Sequence, residues 1–402
     1  MKSDKTTPNV PTLRFAEFTD EWEKYELSHF VTRITRRNKN NKSSLPLTIS
    51  AQYGLVDQIS FFNKTVASVD LSGYYLLYNG DFAYNKSYSN DYAWGAVKRL
   101  DKYEKGCLSS LYFVFRPNDN VDSDYLTHYF ESSKWHKGIS NIAGEGARNH
   151  GLLNMSVDDY FATKHCLPSL PEQKKIARFF NAITRRIEIQ NKIIEDLKVL
   201  KKELCAKLFG SPLCGRIIAI EQVADIYGGY AFNSKAYVNK GKYKIVTIGN
   251  VTGDKYISGN YNTIDRLPNN IQKPQVLSKG DILVSLTGNV GRISIVDGDE
   301  YLLNQRVAKL GIEDDLTKEY IYQYLSNSSF EKDMINAGQG AAQKNIKNQD
   351  ILSYCIRFPT DQTALENIDK LLSLYDIRIT SEKAILSNLI LQKSYYLRAM
   401  FI

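Results

Sequence analysis

The sequence predicts an α+β protein built as a tandem: two pseudo-symmetric β-rich domains, each followed by one long helix. Three observations carry this. From Ile176 the apolar residues fall three and four apart at Ile176, Phe180, Ile183, Ile187, Ile194, Leu197, Leu204 and Leu208, with Gln190 and Lys201 as polar steps; this is a heptad seam on one helix. A shift of 192 residues carries the pattern onto Ile368, Leu372, Tyr375, Ile379, Leu386, Leu389, Tyr396 and Met400, and its faults onto Glu382 and Lys393. A repeated pattern with repeated faults marks an internal duplication. Ahead of each helix, short apolar runs alternate with Gly, Asn and Asp turns, as strands do.

Each helix of roughly 38 residues would extend about 57 Å. A seam so narrow needs a partner, and the other copy of the helix supplies one. The expected boundaries are a first domain at 1–167, its helix at 168–210, a second domain at 211–357 and its helix at 358–402.

Composition fits ordinary globular domains, with 402 residues, 43% hydrophobic and 24% charged, enough for two to three cores. The formal charge of +8 is compatible with a polyanionic partner and equally with a solvated surface. Five scattered cysteines, Cys107, Cys166, Cys205, Cys214 and Cys355, form no CxxC pair, which argues against a disulfide framework or zinc knuckle. Met1 to Thr19 has no apolar leader, and no apolar run approaches the roughly 18 residues of a membrane span. The cytoplasm is the expected compartment, with no membrane contact.

Taken in order, Leu13, Phe15, Phe18 and Trp22 form an aromatic entry expected to pack on the helices or the first domain. Arg33, Arg36, Arg37, Lys39 and Lys42 follow with no acid among them, a candidate phosphate contact or a solvated face. Strand-like runs are Leu71 to Tyr78, Phe82 to Tyr84 after the turn Asn79-Gly80-Asp81, and Leu108 to Phe115. Tyr125, Leu126, Tyr129 and Phe130 have helical spacing, and a glycine loop runs from Gly144 to Gly151. Gly210-Ser211-Pro212 ends the first helix, Gly and Pro being expected terminators. The second half repeats the order: Lys279-Gly280-Asp281 answers the turn, Tyr320 to Leu325 the helix, and Gly338-Gln339-Gly340-Ala341 the glycine loop. Outside these landmarks the halves diverge.

No catalytic motif emerges. The histidines His29, His128, His136, His150 and His165 lack metal-ligand spacing, and no GxxxxGK[ST] or GxGxxG loop exists, so an NTPase or dinucleotide enzyme is unsupported. Glu172-Gln173-Lys174 matches the acid-x-Lys of some nucleases, a pattern that chance supplies readily. Nucleic-acid reading is better served, because Arg can fork onto guanine and Asn or Gln onto adenine. Candidates are Arg148, Asn149 and His150 in the first glycine loop, and Gln339, Gln343, Lys344 and Asn345 in the second. Lys86 and Tyr88 follow one strand, while Asn289 and Arg292 follow its counterpart. Ordinary turn chemistry accounts for any one of these loops alone.

The residues Pro168-Ser169-Leu170-Pro171-Glu172-Gln173-Lys174-Lys175-Ile176-Ala177, Trp22-Glu23-Lys24-Tyr25-Glu26-Leu27 and Gly280-Asp281-Ile282-Leu283 resemble the specificity subunits of Type I restriction-modification systems. The resemblance covers essentially the whole chain, although the second copy keeps only Pro359 and Gln362 of the helix-opening motif. It implies two target recognition domains joined by two antiparallel coiled-coil helices, with Ile183, Ile187, Ile194, Leu197, Leu204, Ile379, Leu386, Leu389 and Tyr396 in the interface. It also implies a non-catalytic subunit that binds double-stranded DNA in host defence against phage. Two modification subunits methylating adenine would be its partners, together with ATP-dependent restriction subunits. S-adenosylmethionine, ATP and Mg2+ would then sit on those partners, and neither cofactor nor metal on this chain. The rival reading is a stand-alone DNA-modifying enzyme with an unrecognised site.

Overall fold

The computed structural model describes residues 9–88, 92–143, 151–211, 215–338 and 345–402. The chain divides into two compact units, residues 1–190 with 385–402, and residues 191–384. Each unit thus combines a β-rich domain with part of each long helix.

In the first unit, β1 (Val31–Arg33), β2 (Phe82–Asn85), β3 (Ala96–Arg99) and β4 (Phe113–Pro117) form an antiparallel sheet in the order β1-β4-β2-β3. Its apolar face is aromatic: Phe82 stacks on Phe115 at 5.5 Å and Tyr84 on Tyr160 at 4.7 Å, geometries that add to simple area burial. The predicted turn before β2 is present, with Gly80 at φ +87, where a side chain would be strained. Its Asp81 is fully buried, accepts from the Tyr78 N–H at 2.7 Å, and binds Arg36 at 2.7 Å and Arg116 at 2.6 Å. The entry strand Glu23–Glu26 pairs antiparallel with Lys164–Leu167, which leads into the first long helix.

Two expectations need correction. The run Leu108 to Phe115 is not one strand: Lys105–Leu108 pairs with Tyr75–Tyr78, a turn follows, and β4 then joins the main sheet. The polar pair Ser109-Ser110 and exposed Leu111 mark the turn between the two strands, whose buried residues on either side otherwise look like one run. The run from Leu71 becomes strand only at Tyr75, because Ser72 and Gly73 lie in turn backbone.

The second unit repeats the frame. Strands β5 (Asp225–Gly228), β6 (Ile282–Ser285), β7 (Ile293–Ile295) and β8 (Val307–Gly311) stand in the order β5-β8-β6-β7, again antiparallel. Gly280 has φ +91, and Asp281 accepts from the Ser278 N–H at 2.8 Å and pairs with Lys309 at 2.7 Å. Entry strand Arg216–Ala219 pairs with Cys355–Phe358. Helix α1 (Ser123–Glu131) of the first unit is capped by Asp122, and its counterpart α2 (Asp315–Leu325) by Asp314; such side chains satisfy the open amides of a first turn. Helix α3 (Ser328–Ala337) follows α2.

The long helices are Leu170–Gly210 and Gln362–Ala399. In the first unit the start of one meets the end of the other, Phe179 edge-on to Tyr396 at 5.0 Å and Phe180 stacked on Phe401 at 5.5 Å. In the second unit the end of one meets the start of the other: Cys205 and Phe209 share a core with Leu365 and Leu372. Both pairings are therefore antiparallel. Ile194 and Leu389 are buried, and Ile183, Ile187, Leu197, Leu204, Ile379, Leu386 and Tyr396 are half-buried.

The two lysines among the repeated polar faults of the seam have partners within their own units. Lys201 reaches Asp376 at 2.6 Å, and Asp376 also accepts from Gln323 of α2 at 2.8 Å. Lys393 reaches Glu131 of α1 at 3.0 Å, where His128 also binds at 3.1 Å. Burial pushes the Glu131 carboxyl up, but the His128 and Lys393 contacts outweigh that and hold it at about 2. The helix-opening motif is structural as well. Buried Glu172 takes both nitrogens of the Arg14 fork at 2.8 Å, and Gln173 accepts from the Asp122 N–H at 2.8 Å while donating to the Pro168 carbonyl at 2.9 Å. These contacts leave no free acid-x-Lys pair, since Glu172 is bound by Arg14. The aromatic entry packs as expected, with Trp22 buried and Phe15 edge-on to Phe179.

Candidate nucleic-acid interface

Strand β2 ends in Asn85, whose side-chain oxygen accepts from the Ser87 N–H at 2.9 Å and bends the chain into a short turn. The emerging loop then pairs with the segment that leaves the glycine loop. Ser87 and Leu152 form an antiparallel bridge, with Tyr88 N–H to Gly151 O and Leu153 N–H to Lys86 O both at 2.9 Å. Tyr88 is exposed there. Lys86 lies over the Phe113 ring at 4.7 Å, and burial lowers its pKa.

Strand β6 leads to the equivalent arrangement. Thr287 and Asn345 form an antiparallel bridge, supported by Ile346 N–H to Leu286 O at 3.0 Å. The loop between is tightly held: Ser285 Oγ accepts from the Arg292 N–H at 3.0 Å and donates to the Asn289 carbonyl. Gly291, at φ +77, lies so close to Met334 of α3 that a β-carbon would stand 2.7 Å from it. Arg292 is tied to Glu331 at 3.1 Å. The result is a rigid turn with Asn289 exposed at its tip, a placement suited to adenine, whose N6 and N7 match a carboxamide.

Of the basic run, Arg36 has its fork occupied by Asp81 and the Leu76 carbonyl, and it stacks over Tyr78 at 4.4 Å. Arg37 donates to the Gly73 carbonyl at 2.6 Å and lies over Tyr75 at 4.4 Å. Arg33 is exposed on the edge strand β1 and has no ion-pair partner among the described residues. The acid missing from the linear run comes from the turn at Asp81, so counting charges along the sequence overstated how many of these cations are free. Arg148, Asn149, His150, Gln339, Gln343 and Lys344 lie outside the described residues, as does Cys214.

Two histidines have internal roles. His128 bridges Glu131 and Asn181, at 3.1 and 2.8 Å, while His165 sits between the Tyr129 hydroxyl at 2.7 Å and Thr163 at 2.8 Å, its pKa lowered by burial to about 4. Among the described residues no three His, Cys, Asp or Glu side chains gather as metal ligands, and no helix is long and apolar enough to cross a membrane.

Sequence reasoning missed the turn aspartates Asp81 and Asp281 as anchors for cations on β4 and β8. The signal was present, because the Gly-Asp pair recurs at the same place in both halves.

Comparison with known proteins agrees with this duplicated architecture. The family model described as Type I restriction modification DNA specificity domain matches residues 20–199 and 216–390. The Type I restriction enzyme MjaVIII specificity subunit of Methanocaldococcus jannaschii is 26% identical over 303 residues, covering 67% of this chain and 69% of that one. The crystal structure of a Type I restriction-modification S subunit from M. genitalium aligns over 98% of this chain and 99% of its own, with 16% identity and a TM-score of 0.54. A chain from work on complex assembly and conformational transition of the type I R-M system aligns over 94% and 96%, with 18% identity and a TM-score of 0.53. At these identities the structural likenesses speak to the fold.

Proposed function

The chain belongs to the Type I restriction modification DNA specificity family, and from that premise we propose how its DNA sequence recognition is divided. Each β-rich domain reads one half of a bipartite, asymmetric site, and the bases between the halves go unread. The observation that carries this reading is the same loop pairing in both units, Ser87 with Leu152 and Thr287 with Asn345. One frame presents Lys86 and Tyr88 in the first unit and Asn289 in the second, so unlike side chains meet unlike bases. Arg33 supplies phosphate contact, which positions the protein without specifying sequence.

The long helices dock two modification subunits, and restriction subunits join that assembly. Leu374, Ile377, Leu391 and Tyr395 support this: all are more than half exposed on the second long helix, away from its buried seam residues Leu372 and Leu389, and such apolar exposure is what a protein partner covers. S-adenosylmethionine, ATP and Mg2+ belong to those partners, and this chain contributes recognition in the cytoplasm without turnover. Methylation or cleavage by the highly purified chain alone, lost on a point change in that chain, would support the rival enzyme reading instead.

The helices also set the spacer. Four residues inserted between Asn191 and Lys202 add about one turn, roughly 6 Å, and keep the seam nearly in phase. Methylated sites mapped in a host carrying the variant with its partners should then show unchanged halves and a spacer altered by about two base pairs, at about 3.4 Å per base pair. A one-residue insertion rotates the seam by about 100° and should abolish assembly. An unaltered spacer in the four-residue variant would contradict this role of the helices.

A further inference from the structure

The second unit holds a cavity of 240 Å³ that the base-reading loops do not account for. Five lysines converge on it: Lys198, Lys201 and Lys202 from the first long helix, Lys255 from a loop, and Lys383 from the second long helix. Two of them are internal. Lys201 pairs with Asp376 at 2.6 Å and Lys255 with Glu319 at 3.2 Å, and burial would lower the Lys255 pKa but Glu319 and Asp376 outweigh it and keep it raised.

The mouth is different. Lys198 and Lys202 are exposed there beside half-buried Lys383, and of the two carboxylates among the described lining residues Asp376 is taken by Lys201 and Asp254 by Lys383, each at 2.6 Å. Among the described residues Lys198 pairs with exposed Glu195 alone, at 2.8 Å, a solvent-screened contact of little strength. The Lys202 side chain has no ion-pair or hydrogen-bond partner among the described residues. Like charges gathered in a concavity repel one another, so an empty mouth is unfavourable and a bound anion relieves it.

The remaining wall suits a tetrahedral oxyanion. The hydroxyl residues Ser326, Ser328 and Thr380 line it, and Ser328 opens α3, a ten-residue helix whose first amides point toward its own N-terminal end. The cavity also adjoins the reading loop. Gly253 in its wall faces the Arg292 side chain, where a β-carbon would stand 3.9 Å away, and Arg292 binds Glu331 one turn into α3.

We propose that this cavity is a phosphate site, and that it takes a phosphodiester of the DNA read by the neighbouring β6-β7 loop. Its DNA source rests on the recognition reading above; its phosphate chemistry does not, and a free phosphate could supply the same group.

Two arms test the site and separate the sources. In the first, the chain assembled with its modification subunits binds cognate and unrelated duplexes across a range of salt. Lys198→Ala with Lys202→Ala, both exposed positions, should lower the log–log salt slope by roughly two units for every sequence while leaving site preference intact. In the second, thermal unfolding of the full chain is followed against inorganic phosphate. A saturable rise in Tm in the unaltered chain that the double variant loses identifies a free anion as the ligand. Either result supports a phosphate site and names its source, whereas an unchanged slope together with no saturable phosphate effect overturns it. Failure of the recognition reading would look different, as an unaltered complex with no preference for any duplex.

Discussion

In the first unit the turn aspartate Asp81 is fully buried and holds two arginines, whereas in the second the equivalent Asp281 is partly exposed and holds one lysine. The sheet orders are the same, β1-β4-β2-β3 and β5-β8-β6-β7, and so are the entry-to-exit strand pairings and the Gly-Asp turns. What differs is the filling. The first unit packs stacked aromatics between sheet and helices, while the second packs mostly aliphatic side chains with a few aromatics. The comparison teaches that the frame depends on a short set of backbone-defining residues, which leaves the surrounding positions free to diverge into different reading surfaces.

The largest effect is expected at the seam, where Phe180 and Leu372 occupy matching positions and both are fully buried. Phe180→Ala should cost about 3 to 5 kcal/mol and Leu372→Ala about 2 to 5 kcal/mol. If the copies are equivalent supports, hydrogen exchange should show each loss chiefly in its own unit. A loss spread equally over both units by either substitution would contradict that independence.

Acid should separate the units next. All five histidines lie in the first unit's residues. Buried His165 titrates at about 4 when folded against 6.5 in its ordinary state. The folded pKa is depressed, so the unfolded chain binds the proton first: stability is fully present above about pH 6.5 and declines as pH falls toward 4. The slope is about 1.4 kcal/mol per pH unit, or roughly 3 kcal/mol across the window. His165→Gln, which stays neutral, should flatten that decline in the first unit, measured by exchange at several pH values; an equal decline in the histidine-free second unit would count against the assignment.

Much of the fold was legible because its signals are local. The heptad seam, the 192-residue repeat and the Gly80 and Gly280 turns depend on spacing and backbone conformation that a few adjacent residues determine. The split of Leu108 to Phe115 was missed although Ser109-Ser110 marks it, because the apolar residues on both sides of that pair were read as one strand. Pairings across the chain were not legible either: Arg36 finds Asp81, and Lys393 finds Glu131, only after the sheet and helices are assembled. The repeated seam faults at Lys201 and Lys393 revealed the duplication, while their partners Asp376 and Glu131 needed the assembled units. The candidate interface was chosen by the composition and position of the loops after β2 and β6, while the bridges that hold those loops to Leu152 and Asn345 needed the fold.

On the function proposed above, each unit reads its own half of the site independently. The direct measurement is a map of methylated sites in a host carrying the chain with its partners, compared with the same map for Asn289→Ala combined with Asn345→Ala. Losing a base contact costs about 1 to 3 kcal/mol and relaxes preference at that position. The predicted map shows relaxed preference within one half-site, with the other half and the spacer unchanged. Altered bases in both halves, or an altered spacer, would contradict the claim.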